Sequence, residues 1–249
     1  MEDTTLYISI IFGLILFLSV FTFYIGVNNP GRFLIMTLGW IFLQTGISVS
    51  GFYEETETFP LRIVLLVVPP VLSMLWLFFS ARGKSFLDNI NIHMLIVIHV
   101  VRAPIELVIF WLFICKAMPY EMTFGGGNLD IISGLTVPLI YYLGIMRGKI
   151  RWKILLVWNL VCLGLLLNVV LKSTLAAPFF SRAVVFGQPN IAMLHFPFVL
   201  LPGVIVPILL CAHLAVIRKL LKVYWFEFKN TPYIAKRAVK TKIACHENI

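Results

Sequence analysis

Charge is what this sequence has least of. Only 12% of its 249 residues are Asp, Glu, Lys or Arg, while 60% are hydrophobic and the mean hydropathy is +0.97. A soluble domain cannot hide that much apolar surface, so the composition excludes one and points to an all-α, polytopic transmembrane helical bundle. Cysteine is also scarce: Cys115, Cys162, Cys211 and Cys245 are scattered, with no C-x-x-C pair and no zinc spacing. Their placement fits small apolar residues in packed or lipid-facing zones. Cys245 lies five residues from the end, which is not a prenylation box.

Other absences narrow the field further. No positive charge precedes the first apolar run, where Glu2 and Asp3 stand instead. That run therefore reads as a retained span and not as a cleavable signal. The last apolar run, 191–217, has no lysine, so a retinal Schiff base is excluded. His93 and His99 are six residues apart and point to different helix faces, and no H-x-x-x-H pair exists. No G-x-S-x-G nucleophile motif occurs either. No catalytic residue and no metal ligand is assigned, and an enzyme ranks third among the functional readings. Spacing gives no support to a metal-hydrolase cluster of His99, His195, Glu106 and Asp130, while bis-histidine haem ligation by His99 and His195 stays open, as does the cofactor question. The two halves show no matching proline pattern, which argues against a repeat-built sugar-carrier fold.

Seven runs are long enough to cross a bilayer: 5–27, 33–53, 62–81, 92–116, 129–146, 153–171 and 191–217. A span needs about 20 apolar residues. This gives a seven-helix transmembrane domain, 1–217, and a basic tail, 218–249. With the N-terminus outside, the inner segments hold fifteen Lys and Arg and the outer ones four, so the expected orientation is N-outside, C-cytoplasmic. The net charge of +9 is mostly this bias and needs no nucleic acid. The tail interleaves Lys and Arg with Tyr224, Trp225, Phe226 and Phe228, which suits contact with anionic lipid at the cytoplasmic leaflet.

The informative residues are those that cost something in lipid. "HVVRAPIEL", 99–107, puts His99, Arg102 and Glu106 at i, i+3 and i+7 in the fourth span, so they share one helix face. A charge at the centre of a spanning helix costs about 2.5–3.5 kcal/mol on insertion scales, so such residues face the bundle interior. Arg102 and Glu106, at i and i+4, are expected to neutralise each other in part. Pro104 between them frees the carbonyl of Val100. Asp130 opens the fifth span in "GGGNLDIISG", with Asn128 or Asp130 as the expected N-cap. The glycines there could let the backbone dip inward. Gln44 and Ser48 in the second span are at i and i+4, a spacing typical of polar helix–helix contacts. The last span carries Pro197, Pro202 and Pro207, freeing the carbonyls of Met193, Phe198 and Gly203. His195 lies near its outer end, and His213, about 27 Å further on, near its inner end.

The combination "HVVRAPIEL", "MTFGGGNLDIISGLTVP", "WNLVCLGLLLN" and "GQPNIAMLHFPFVLLPGVIVPILLCAHL", over roughly 93–214, resembles a family of bacterial polytopic integral membrane proteins with no assigned activity. The resemblance implies a bacterial inner membrane and no particular chemistry. From the residues alone, the leading expectation is a small-solute or proton-linked carrier in the lipid bilayer. Its buried polar site would comprise His99, Arg102, Glu106, Asp130, Asn128, His195 and Gln44. The alternative is a non-transporting sensory or scaffolding module whose ion pair only fixes packing.

Overall fold

The computed structural model describes residues 2–28, 30–55, 62–178, 187–223 and 225. They form α-helices joined by short 3₁₀ and π turns: α1 (Glu2–Gly26), α2 (Pro30–Val49), α3 (Val64–Phe79), α4 (Ala81–Asn89), α5 (Ile92–Val97), α6 (Arg102–Ile114), α7 (Asp130–Ile140), α8 (Trp152–Leu175) and α9 (Leu201–Val223). A 3₁₀ turn, Ile98–Val101, joins α5 to α6 so that Ile92–Ile114 is one apolar length of 23 residues. A π turn, Tyr141–Met146, extends α7, and another, Leu201–Ile205, opens α9.

Among the described residues five helices are long and apolar enough to cross a membrane, or six if α3 and α4 count as one broken span. The protein is therefore a multi-pass membrane protein in contact with lipid. The expected runs map unevenly onto these helices. The 62–81 run is α3, after which the chain bends by 88° into α4. Ser80 caps that bend by accepting from the Gly83 amide at 2.9 Å. Any side chain at Gly83 would meet the Leu77 backbone at 2.4 Å, so the fold needs a glycine there. The 129–146 run is a helix of 10–17-residue class, Asp130–Met146, shorter than a standard span. In the 191–217 run only the part from Leu201 onward is helical span, and the helix continues past 217 to Val223. Most of the basic tail and its lipid contact lie outside the described residues.

Burial sorts the helices into centre and rim. In Ile92–Ile114 61% of the span window is buried inside the protein, and in α9 56%; in α2 only 11% is. The core is formed where α6 meets α7, α1 meets α5 and α6, and the start of α9 meets α3. Leu95, Ile96, Ile98, Ile105, Val108, Ile109 and Leu112 fill it from the central span, and Val204, Ile205, Leu209, Ala212 and Val216 from α9. The outer faces of α1, α2 and α8 expose large apolar side chains such as Phe17, Phe42 and Val157, as a lipid boundary requires.

Candidate functional site

The central span answers part of what its sequence raises. The 3₁₀ turn ends at Val101, so Pro104 falls in the first turn of α6, where a missing N–H disrupts least. His99 sits within the 3₁₀ turn, and Arg102 and Glu106 follow on the same face. All three are essentially inaccessible, at 0%, 1% and 1% exposure.

Arg102 pairs with Asp130 and not, as expected from i, i+4 spacing, with Glu106. Its Nε donates to Asp130 Oδ2 at 2.8 Å, and its Nη2 donates to Asp130 Oδ1. This bidentate form is the stronger geometry for an arginine–carboxylate pair. Nη2 also donates to the Cys162 carbonyl of α8 at 3.0 Å, and Nη1 lies 3.0 Å from His213 Nε2 of α9. One guanidinium thus ties α6, α7, α8 and α9 together. The close approach of α7 depends on Gly134, where an added Cβ would come within 2.4 Å of the Ala103 amide nitrogen. Gly134 shares a buried stripe with Asp130, Ser133 and Val137.

Glu106 is held instead by a neutral group. Asn128 Nδ2 lies 2.8 Å from each Glu106 oxygen and 2.8 Å from the Met122 carbonyl. Asn128 Oδ1 accepts from the Asp130 amide at 3.1 Å, so Asn128 serves the start of α7 and the carboxylate of α6 together. The connection leading to it is buried at Met118, Met122, Thr123 and Asn128. It folds back into the protein, which is how Asn128 and Asp130 reach the level of Glu106 and Arg102. Lys172 of α8 pins this connection by donating to the carbonyls of Glu121 and Gly126 at 3.1 and 3.0 Å.

His213 joins the cluster, its ring stacked on His99 with centroids 3.8 Å apart and planes 20° apart. Trp158 stands edge-on to His99 at 6.4 Å. Sequence reasoning missed His213 by placing the last span at 191–217, which put the histidine near its inner end. The helical span is Leu201–Val223, and His213 is near its middle. The rule that an intramembrane ionisable residue marks a site would have found it had the span been placed correctly. Asn159 of α8 is fully buried, on the same stripe as Cys162.

Two expected site residues do not join. His195 Nδ1 makes a half-exposed pair with Glu54 Oε1 at 3.2 Å. Gln44 is buried in α2 and accepts from the hydroxyl of Tyr53, a residue 2% exposed whose phenol burial pushes up to about 12. Gln44 belongs to a different polar seam. Trp40 Nε1 donates to the Gly203 carbonyl at 3.0 Å, and Ser48 Oγ to the Leu194 carbonyl at 3.4 Å. Gly203 is the carbonyl that Pro207 deprives of its helical partner, so a neighbouring helix completes the broken backbone.

Among the described residues no group of three or more His, Cys, Asp or Glu side chains could hold a metal ion. No protein-family model matches the chain, and no curated protein and no solved structure is similar to it. What holds of the resemblance is the architecture of several long apolar helices, and no family is identified.

Proposed function

We propose that the protein is a small-solute carrier linked to protons, with its site on the central span at His99, Arg102, Glu106, Asn128 and Asp130, joined by His213. The observation that carries this reading is the unequal treatment of two carboxylates. Asp130 is matched by Arg102 in a bidentate pair, whereas Glu106, equally buried, is bonded only to the carboxamide of Asn128 and to no cation among the described residues. A pair that only fixes packing has no use for a second carboxyl one turn away. A carboxyl that gains and loses a proton during a cycle does, and such groups mark proton pathways in membrane carriers. The interrupted helices beside it, at Ile98–Val101 and Leu201–Ile205, fit the same reading, because broken spans commonly border solute sites. In this arrangement the short Asp130–Met146 helix and the α3–α4 pair complete seven spans. The N-terminus is outside and the basic tail lies on the anionic inner leaflet of a bacterial membrane.

The test is solute-dependent proton uptake into proteoliposomes loaded with a pH-sensitive dye, screened over a metabolite panel. Glu106→Gln keeps an oxygen for Asn128 and removes the proton site, so it should fold and abolish the coupled flux. Undiminished flux in that variant would sink the reading. The second reading, a sensory or scaffolding module, is favoured by the bidentate pairing of Arg102 with Asp130. It predicts no flux with any solute and a Glu106→Gln protein that behaves as wild type.

A further inference from the structure

The tautomer of His213 follows from its neighbour. Arginine offers only donors, so the 3.0 Å contact to Arg102 Nη1 makes His213 Nε2 an acceptor and puts the ring proton on Nδ1. That Nδ1 is buried and meets no hydrogen-bond partner among the described residues. Both nitrogens of His99 are in the same position, and so are both polar atoms of the Asn159 carboxamide. All three side chains are 0% exposed. Asn159 lies on the one buried stripe of α8, with Leu155, Cys162 and Leu166. It is one turn from the Cys162 carbonyl that Arg102 holds and adjacent to Trp158, which abuts His99. Buried polar atoms normally find partners, so unmet donors and acceptors on two stacked histidines, one of them held by Arg102, and on an asparagine one turn from the carbonyl that the same Arg102 holds, mark a site.

Charge decides what the site accepts. The Arg102 cation is already matched by Asp130, and two further N–H groups reach the Cys162 carbonyl and His213, so four of its five donors are engaged. An anion placed among His99, Asn159 and His213 would find Arg102 already matched, and a cation would find only Glu106, seven residues along from His99 and already bonded to Asn128, so burying either ion there is costly. A neutral molecule with both donor and acceptor groups fits, because His213 Nδ1–H and one nitrogen of His99 donate, the other nitrogen of His99 accepts, and Asn159 does both. We infer that His99, Asn159 and His213 form a subsite for a small neutral solute of amide-like hydrogen-bonding character, beside Arg102. The inference rests on the proposed role of this cluster as a solute site, and it adds the chemical class of the solute.

The test uses the full chain in nanodiscs, with acetamide as neutral probe and acetate and methylammonium as charged ones, read by thermal unfolding and by titration. Acetamide should raise the melting temperature of wild type, and the two ions should not. Asn159→Leu removes the unmet polar atoms at similar volume. It should melt at or above wild type without ligand and bind acetamide at least tenfold more weakly. His99→Phe keeps the stack on His213 and should lose acetamide in the same way. The inference is overturned if acetamide leaves wild type unmoved, if an ion binds as well as acetamide, if either variant keeps wild-type affinity, or if ligand-free Asn159→Leu melts well below wild type. Acetamide binding without any flux in proteoliposomes would end the carrier reading and leave the subsite. Coupled flux without acetamide binding would do the reverse.

Discussion

Two ionic clusters hold α9, and they are built from the same residue types to opposite effect. At mid-span Arg102 and Asp130 meet beside His213, with side-chain exposures of 0% and 6%. Five residues further along α9, Arg218 meets Asp88 of α4 at 3.1 Å with exposures of 25% and 30%, and Lys222 shares the same carboxylate. Lys219 adds a bond to the Asp88 carbonyl at 2.6 Å. Solvent screens the second cluster and not the first. Depth, more than the number of charges or bonds, is expected to set what each cluster contributes to the fold.

Removing one partner from each cluster should separate the two most clearly. Asp130→Asn leaves Arg102 buried without its counter-charge and should destabilise by about 3–5 kcal/mol, read as a large fall in melting temperature in nanodiscs. Replacing both partners, Arg102→Met with Asp130→Leu, should recover most of that loss, since apolar isosteres of buried pairs are often neutral. Trp40→Phe comes next. It leaves the Gly203 carbonyl unpaired in an already interrupted helix and should cost about 1–3 kcal/mol, measured as faster amide exchange around 200–206. Tyr53→Phe should cost about 1 kcal/mol by removing the Tyr53–Gln44 bond. Because the folded phenol is raised to about 12 from its ordinary 10, the stability it gives is present below pH 10 and lost as pH rises towards 12. The wild-type melting curve should therefore drop over that window and the variant's should drop less. Smallest is Asp88→Asn, expected to cost about 0–1 kcal/mol. Added salt should mimic it, whereas salt should leave the Asp130→Asn effect unchanged.

The two clusters also differ in how far the sequence revealed them. The stripe of His99, Arg102 and Glu106 is legible because helical spacing alone puts them on one face, and the cost of charge in lipid turns that face inward. Asn128 and Asp130 are legible as polar groups at the start of a helix beside glycines. What spacing cannot supply is depth. Arg102 chooses Asp130 over Glu106 because the connection after α6 folds back into the protein, and no periodicity signals that return. Depth also hid His213, because three prolines blurred where the last helix begins. His195 and Gln44 were grouped with the cluster on residue type, yet a half-exposed loop holds one and the α2 seam the other.

The seam along α2 has a consequence for how the protein meets its surroundings. This helix is the least enclosed of the long spans, so few neighbours oppose a change of its tilt in a bilayer of different thickness. Yet Trp40 and Ser48 bond the backbone at Gly203 and Leu194, on either side of the irregular entry to α9. A thinner or thicker membrane that re-angles α2 thus pulls directly on the segment that feeds into His213. The lipid environment chosen for any measurement on this protein is therefore itself an experimental variable.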